Sequence, residues 1–208
     1  YLVCLLCIPF AWFLSPPSSM KDFGQSLGAV VAFSSNFLFW VENGYFDTSS
    51  EMKPLLHTWS LAVEEQFYVF FPPLLLLLTR LKKRSNLLLI CTAGIVSLFA
   101  AEYGHMMQWT SVFWLLPFRA WELLIGSFVA VAVFNNNRIT GRAGQIFSYA
   151  GLLLISLSVL LFSEQIRTPS VWILIPTLGT ALILSSDLEK SILFRILACR
   201  FMVFLGLL

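Results

Sequence analysis

The chain has 208 residues, of which 58% are hydrophobic and only 12% charged, and its net charge is +2. That composition excludes an ordinary soluble domain and calls for a bilayer around the protein. The 13 lysines and arginines are dispersed and form no basic face, which excludes a nucleic-acid partner.

Residues 1–14 read as an apolar span, stopped by Ser15-Pro16-Pro17-Ser18-Ser19, which cannot continue a helix. The span has neither the basic flank nor the small-residue cleavage site of a signal peptide. Tyr1 is not an initiator and 201–208 stops inside an apolar run, so the chain is expected to be part of a longer protein, cut at both ends. Cys4-Leu-Leu-Cys7 has the spacing of a redox motif, but it lies in an apolar helix with no βαβ pattern, and packing is the expected role. Cys91 and Cys199 also lie in or beside apolar runs, and no disulfide is implied. The segment 24–41 is apolar but contains Ser34-Ser35-Asn36, and it either crosses the bilayer or enters and returns. A polar loop, 42–53, then leads to Pro54.

From Pro54 to Leu78 the sequence places a histidine and two carboxylates in a run otherwise apolar enough to cross a membrane. At about 100° per residue, His57, Ser60, Leu61, Glu64 and Tyr68 share one helical stripe, while Glu65 points to the neighbouring face. Ionisable groups at membrane depth cost about 3 kcal/mol each on insertion scales, so this stripe is expected to face the interior of a helix bundle. Pro72-Pro73 is expected to kink the span before it ends at Leu78.

Further apolar runs follow at 87–101, 110–134, 147–162 and 171–186, and another begins near Phe201. The expected architecture is an all-α polytopic transmembrane helix bundle of about seven to eight membrane segments. Loops 80–86, 135–146 and 187–200 carry nine Lys or Arg, whereas 42–53, 102–109 and 164–170 carry two. By the positive-inside rule the first set is cytoplasmic, so the central helix runs from the outer side at Pro54 to the inner side at Arg80.

His57 with Glu64 and Glu65 does not make a zinc site, because no second histidine stands at a metal-sharing spacing. Interhelical hydrogen bonding is one reading of these residues; a general base, a substrate contact or a positioning group is the other. Arg119 and Glu122 stand three residues apart in the 110–134 run. A guanidinium in such a span needs a partner, and Glu122, Glu64, Glu65 or an anionic ligand are the candidates, with a carboxylate of the central helix expected. His105, isolated in a short polar loop, reads as a solvated residue.

The stretch Pro54-Leu-Leu-His-Thr-Trp-Ser-Leu-Ala-Val-Glu-Glu-Gln-Phe-Tyr68 resembles the signature of the acyltransferase 3 family, the polytopic membrane O-acyltransferases of bacterial cell surfaces. Leu116-Pro-Phe-Arg-Ala-Trp-Glu-Leu-Leu-Ile-Gly126 agrees with a later stretch of that family. So do Ile175-Pro-Thr-Leu-Gly-Thr-Ala-Leu-Ile-Leu184 and Arg200-Phe-Met-Val-Phe-Leu-Gly206. Within the family the chain looks most like the branch that O-acetylates lipopolysaccharide O-antigen or peptidoglycan, often with a fused extracytoplasmic SGNH-type domain.

The resemblance implies transfer of an acyl group, usually acetyl, from cytoplasmic acyl-CoA to a hydroxyl of an extracytoplasmic cell-surface carbohydrate. The membrane would be the bacterial cytoplasmic (inner) membrane, with no metal required. It also implies that residues 1–208 form part of a transmembrane acyltransferase domain whose main catalytic histidine and donor-binding arginines precede Tyr1, so that this stretch alone is inactive. Glu64, Glu65 and His57 would then support catalysis, and Arg119, Glu122, Trp59, Ser60 and Tyr68 would contact substrate. The alternative is a polytopic transporter or flippase-like carrier, since buried charges and proline-broken helices also build solute pathways.

Overall fold

The computed structural model describes residues 2–14, 16–43, 55–78, 83–135, 138–163, 166–186 and 192–207. The 44–53 loop, Pro54, Arg80, Lys82, Glu164 and Lys190 lie outside the described residues.

The described chain is helical: α1 (Leu2–Leu14), α2 (Pro17–Val31), α3 (Ser35–Asn43), α4 (Thr58–Leu78), α5 (Lys83–Met106), α6 (Ser111–Trp114), α7 (Leu116–Phe134), α8 (Gly141–Leu161), α9 (Leu174–Ser185), α10 (Ile192–Leu197) and α11 (Arg200–Leu207). A single bridge between Ile139 and Ser186 is the only β-type pairing among the described residues. The fold is an all-α membrane bundle, but with fewer spans than the sequence suggests. Among the described residues four stretches are long and apolar enough to cross a bilayer: Thr58–Leu77, Leu87–Met106, Ser111–Phe134 and Gly141–Leu161. Val3–Leu14 and Val171–Ser185 are shorter apolar helices.

The segment 24–41 is one of the places where the count falls. It does not form one helix: α2 stops at Val31 and α3 starts at Ser35. The stop is a Schellman closure, in which Ser34 N–H donates to the Ala29 carbonyl at 2.8 Å and Phe33 N–H to that of Val30 at 3.1 Å. Phe33 occupies the left-handed position, with φ 51°, where glycine is usual. The end of α5 closes the same way. Trp109 N–H reaches the Gly104 carbonyl at 2.9 Å, Gln108 N–H that of His105 at 3.1 Å, and Gln108 has φ 59°.

The chain forms two compact units. The first holds residues 1–81 and 103–120, and the second 82–102 and 121–208. In the first, Cys4, Ala11, Phe23, Val30 and Leu55 form a buried cluster, with Cys7 packed against it, so the Cys4–Cys7 pair sits where core side chains are needed. Pro17 opens α2, a position that costs proline nothing because the first amides of a helix have no partner. The central helix α4 runs through Pro72 and Pro73 without ending.

The second unit is built on close packing. α8 buries Gly144, Ser148, Gly151 and Ser158, a face of small residues, and α9 lies against it with Gly179 buried. A Cβ on Gly179 would stand 2.8 Å from the Gly151 carbonyl oxygen, and one on Gly151 would collide with the Gly179 carbonyl. The backbones therefore touch, as small residues allow between membrane helices. Glu102 accepts a hydrogen bond from Val171 N–H at 2.6 Å, and Ile139 N–H donates to the Ser185 carbonyl at 3.0 Å.

Candidate functional site

The first unit breaks its helices in several places, and each break frees backbone carbonyls that apolar surroundings cannot satisfy. Buried side chains meet them. Gln66, on α4, donates from Nε2 to the Phe33 carbonyl and to Asn36 Oδ1, each at 2.8 Å. Asn36 in turn donates from Nδ2 to the carbonyl of Trp114, the last residue of α6, at 3.1 Å. Ser35 Oγ donates to the Thr58 carbonyl at 3.0 Å. Ser35 and Asn36 are fully buried. One amide pair therefore ties the α2–α3 break, the α6–α7 break and the central helix together.

Beside this knot lies an aromatic cluster. The Trp59 ring stands 4.6 Å from Phe113 and 5.5 Å from Trp114, and Phe113 stands 5.0 Å from Trp114, centroid to centroid. The Arg119 guanidinium, one turn into α7, sits 4.7 Å above the Trp59 ring and 5.8 Å from that of Phe113. A cation over an indole face gains about 0.5–2 kcal/mol from the ring quadrupole, more where water is excluded. A cavity of about 410 Å³ opens here, lined by Leu56, Trp59, His105, Trp109, Thr110, Phe113 and Trp114. Trp40 Nε1–H donates to Thr110 Oγ1 at 3.3 Å, fixing part of its wall. Gly104 makes room for the returning chain, since a Cβ there would strike Val112 and come within 3.3 Å of Trp109. Rings, an imidazole and a hydroxyl thus line one volume, and the Arg119 cation stacks on two of its rings. Such a set suits a polyhydroxylated or carbonyl-bearing ligand, with ring faces for its C–H groups and donors for its oxygens.

The expected site residues are only partly brought together. Trp59 and Arg119 meet. His57 is not on the helical stripe: it lies in the turn 55–57 ahead of α4 and is exposed, and its carbonyl accepts from Ser60 Oγ at 3.2 Å. Ser60, Leu61, Glu64 and Tyr68 do share a face, but it is the exposed one. The face of α4 turned inward carries Ala62, Val63 and Phe67, with Trp59, Gln66 and Glu65 half-buried. The reason is bulk: rings and branched side chains gain more from burial than a carboxylate, which needs a partner inside. Glu122 is half-buried and belongs to the second unit. Arg119, expected against a central-helix carboxylate, lies over the rings of Trp59 on that helix and Phe113 on α6.

Gln66, Asn36 and Ser35 escape a search for ionisable groups because amides and hydroxyls titrate nowhere near neutrality. Their signal is polarity inside apolar runs. His105 is likewise not a loop residue: α5 continues through it, and it lines the cavity.

No family model matches the chain, and no solved structure matches it. The chain is 29% identical to an uncharacterized protein of Haemophilus influenzae over 178 residues, covering 81% of this chain and 73% of that protein. It is 30% identical to a putative peptidoglycan O-acetyltransferase of Bacillus subtilis over 115 residues, covering 52% of this chain and 18% of that protein. It is 29% identical to the peptidoglycan O-acetyltransferase of Listeria monocytogenes over 145 residues, covering 67% and 23%. The match spans less than a quarter of either named relative. The chain is an integral membrane protein, related over part of its length to proteins named O-acetyltransferases.

Proposed function

We propose that the protein is the membrane part of an O-acetyltransferase, moving an acetyl group from cytoplasmic acetyl-CoA to a hydroxyl of extracytoplasmic peptidoglycan. The observation that carries this reading is the ring-lined cavity at Trp59, with Arg119 stacked on that ring, in a chain with relatives named as peptidoglycan O-acetyltransferases. The loop charges support the sidedness: few Lys or Arg lie at 102–109, which puts the cavity-lining His105 and Trp109 on the outer side, where the wall is.

In the reaction, the acceptor hydroxyl oxygen attacks the acetyl thioester carbonyl, a base takes the hydroxyl proton, the C–S bond breaks and CoA leaves as the thiol. Trp59, Phe113 and Trp114 hold the acceptor ring by its apolar face. Arg119, held over Trp59, offers its N–H groups to acceptor or carbonyl oxygens. His57, two residues before Trp59, contacts substrate from its exposed turn, and Glu65, half-buried on α4, supports the site electrostatically.

The test is expression of the full-length protein in a bacterium whose wall carries no acetyl esters, followed by measurement of base-released acetate from purified peptidoglycan. Acetate is expected with the unaltered protein. It should fall about tenfold or more with Trp59→Leu at unchanged abundance, which corresponds to about 1.4 kcal/mol of lost transition-state binding. Absence of acetate with the unaltered protein, or full acetate with Trp59→Leu, overturns the reading.

A further inference from the structure

Five of the seven residues that line the cavity at Trp59 come from one short stretch of chain: His105, Trp109, Thr110, Phe113 and Trp114. The walls that face a ligand are thus set mainly by residues 105–114, and acetyl transfer leaves the two polar side chains among them, His105 and Thr110, without a task.

This stretch is closed upon itself. Met107 N–H donates to the Tyr103 carbonyl at 3.0 Å, Trp109 N–H to that of Gly104 at 2.9 Å and Val112 N–H to that of Trp109 at 3.3 Å. Without a Cβ at Gly104, Val112 and Trp109 pack directly onto the end of α5. Side chains carried by so closed a turn keep their places relative to one another, as recognition of a defined shape requires.

The side chains themselves say what fits. Thr110 stands at the N-cap of α6, but its hydroxyl makes no capping bond. Its Oγ1 accepts the Trp40 indole proton, and its own proton goes to no acceptor among the described residues, so it is a donor in the cavity wall. His105, half-buried in the last turn of α5, brings an imidazole, whose two nitrogens let it be held through one and accept a ligand's proton at the other. Trp109 is 48% exposed, the most exposed ring of the lining, and is braced by Tyr103 at 5.9 Å and Phe118 at 6.4 Å between centroids. A braced, exposed indole beside a donor and an acceptor suits a sugar ring, with its C–H face on the indole and its oxygens on the polar pair. An aliphatic chain would leave both polar groups unsatisfied.

We propose that His105 and Thr110 determine which acceptor is used: they hydrogen-bond oxygens of a sugar ring laid against Trp109, Thr110 as donor and His105 as acceptor, and so leave one particular hydroxyl for acetylation. They set specificity and take no proton in the reaction. The proposal rests on the acetyl-transfer reading only in taking the ligand to be a saccharide.

The experiment uses the full-length protein in detergent and a soluble tetrasaccharide of β-1,4-linked N-acetylglucosamine. Carbethoxylation of His105 by diethyl pyrocarbonate, read by mass spectrometry, should slow about fivefold at a saccharide concentration about four times its Kd. Exposed Lys21 on α2 should react at an unchanged rate. His105→Leu and Thr110→Val should each weaken saccharide binding, read by calorimetry, about fivefold, the effect of one hydrogen bond, at unchanged KM for acetyl-CoA. His105→Gln and Thr110→Ser, which keep hydrogen-bonding groups, should bind within about twofold of the unaltered protein.

A His105 that the tetrasaccharide leaves unprotected overturns the proposal without recourse to any variant. So does full affinity in His105→Leu and Thr110→Val, or a His105→Gln protein as weak as His105→Leu, which would give the imidazole a task other than a hydrogen bond. Binding is read without acetyl transfer, so the two readings fail separately. A protein that acetylates walls but leaves His105 unprotected loses this proposal and keeps acetyl transfer, whereas one that protects His105 yet releases no acetate keeps this proposal and loses acetyl transfer.

Discussion

The two units solve the same problem, a helix bundle in an apolar medium, by opposite means. The first breaks its helices and repairs the breaks with side chains: Gln66, Asn36 and Ser35 satisfy carbonyls at or near helix ends, and Phe33 and Gln108 take left-handed turns without being glycine. The second keeps its long helices whole and brings α8 and α9 into backbone contact at Gly151 and Gly179. Broken backbone gives a ring-lined cavity with an imidazole and a hydroxyl in its wall. Continuous helices give hydrocarbon walls.

The comparison can be broken most forcefully at Gly151. Gly151→Leu should destabilise the protein by about 3 kcal/mol, because the new side chain meets the Gly179 carbonyl and comes within 2.9 Å of Ile183. Thermal unfolding in detergent reads this, and an unchanged midpoint would mean that the second unit is not held by close approach. A smaller loss is expected in the first unit from Asn36→Leu, which removes the partners of the Trp114 carbonyl and the Gln66 amide. About 2 kcal/mol is expected from groups left unsatisfied. A loss equal to that of a surface substitution would show that the knot is incidental.

The smallest effect has the opposite sign. Phe33→Gly should stabilise by about 1 kcal/mol, since the left-handed backbone costs a residue with a Cβ about that much and glycine almost nothing. If Phe33→Gly also lowers acetate release in the wall assay, the strain at the α2–α3 break serves the site.

Most helix positions and the membrane class are legible in the sequence, because hydrophobic runs and proline or serine stops act locally. Which face of α4 is buried is not. Periodicity tells that Ser60, Glu64 and Tyr68 share a face, but the decision between that face and the one with Ala62, Val63 and Phe67 is made by partners elsewhere in the chain. The Asn36–Trp114 and Asn36–Gln66 bonds close over 78 and 30 positions, so the sequence offers the polar residues without their pairing. The Arg119–Trp59 contact escapes for a similar reason: a search for opposite charge overlooks a neutral ring as a cation's partner.

The paired prolines of α4 carry a mechanical consequence. Pro72 and Pro73 lie inside the helix but have no amide hydrogen to give to the carbonyls of Tyr68 and Val69. Two successive rungs of the ladder are missing, and bending stiffness is lowest there. Everything α4 contributes to the ring-lined cavity and the amide knot, from Trp59 to Gln66, lies on one side of that joint. The weak point of α4 is thus set apart from the residues that build the cavity wall, and bending is expected at the prolines before it reaches Trp59 or Gln66.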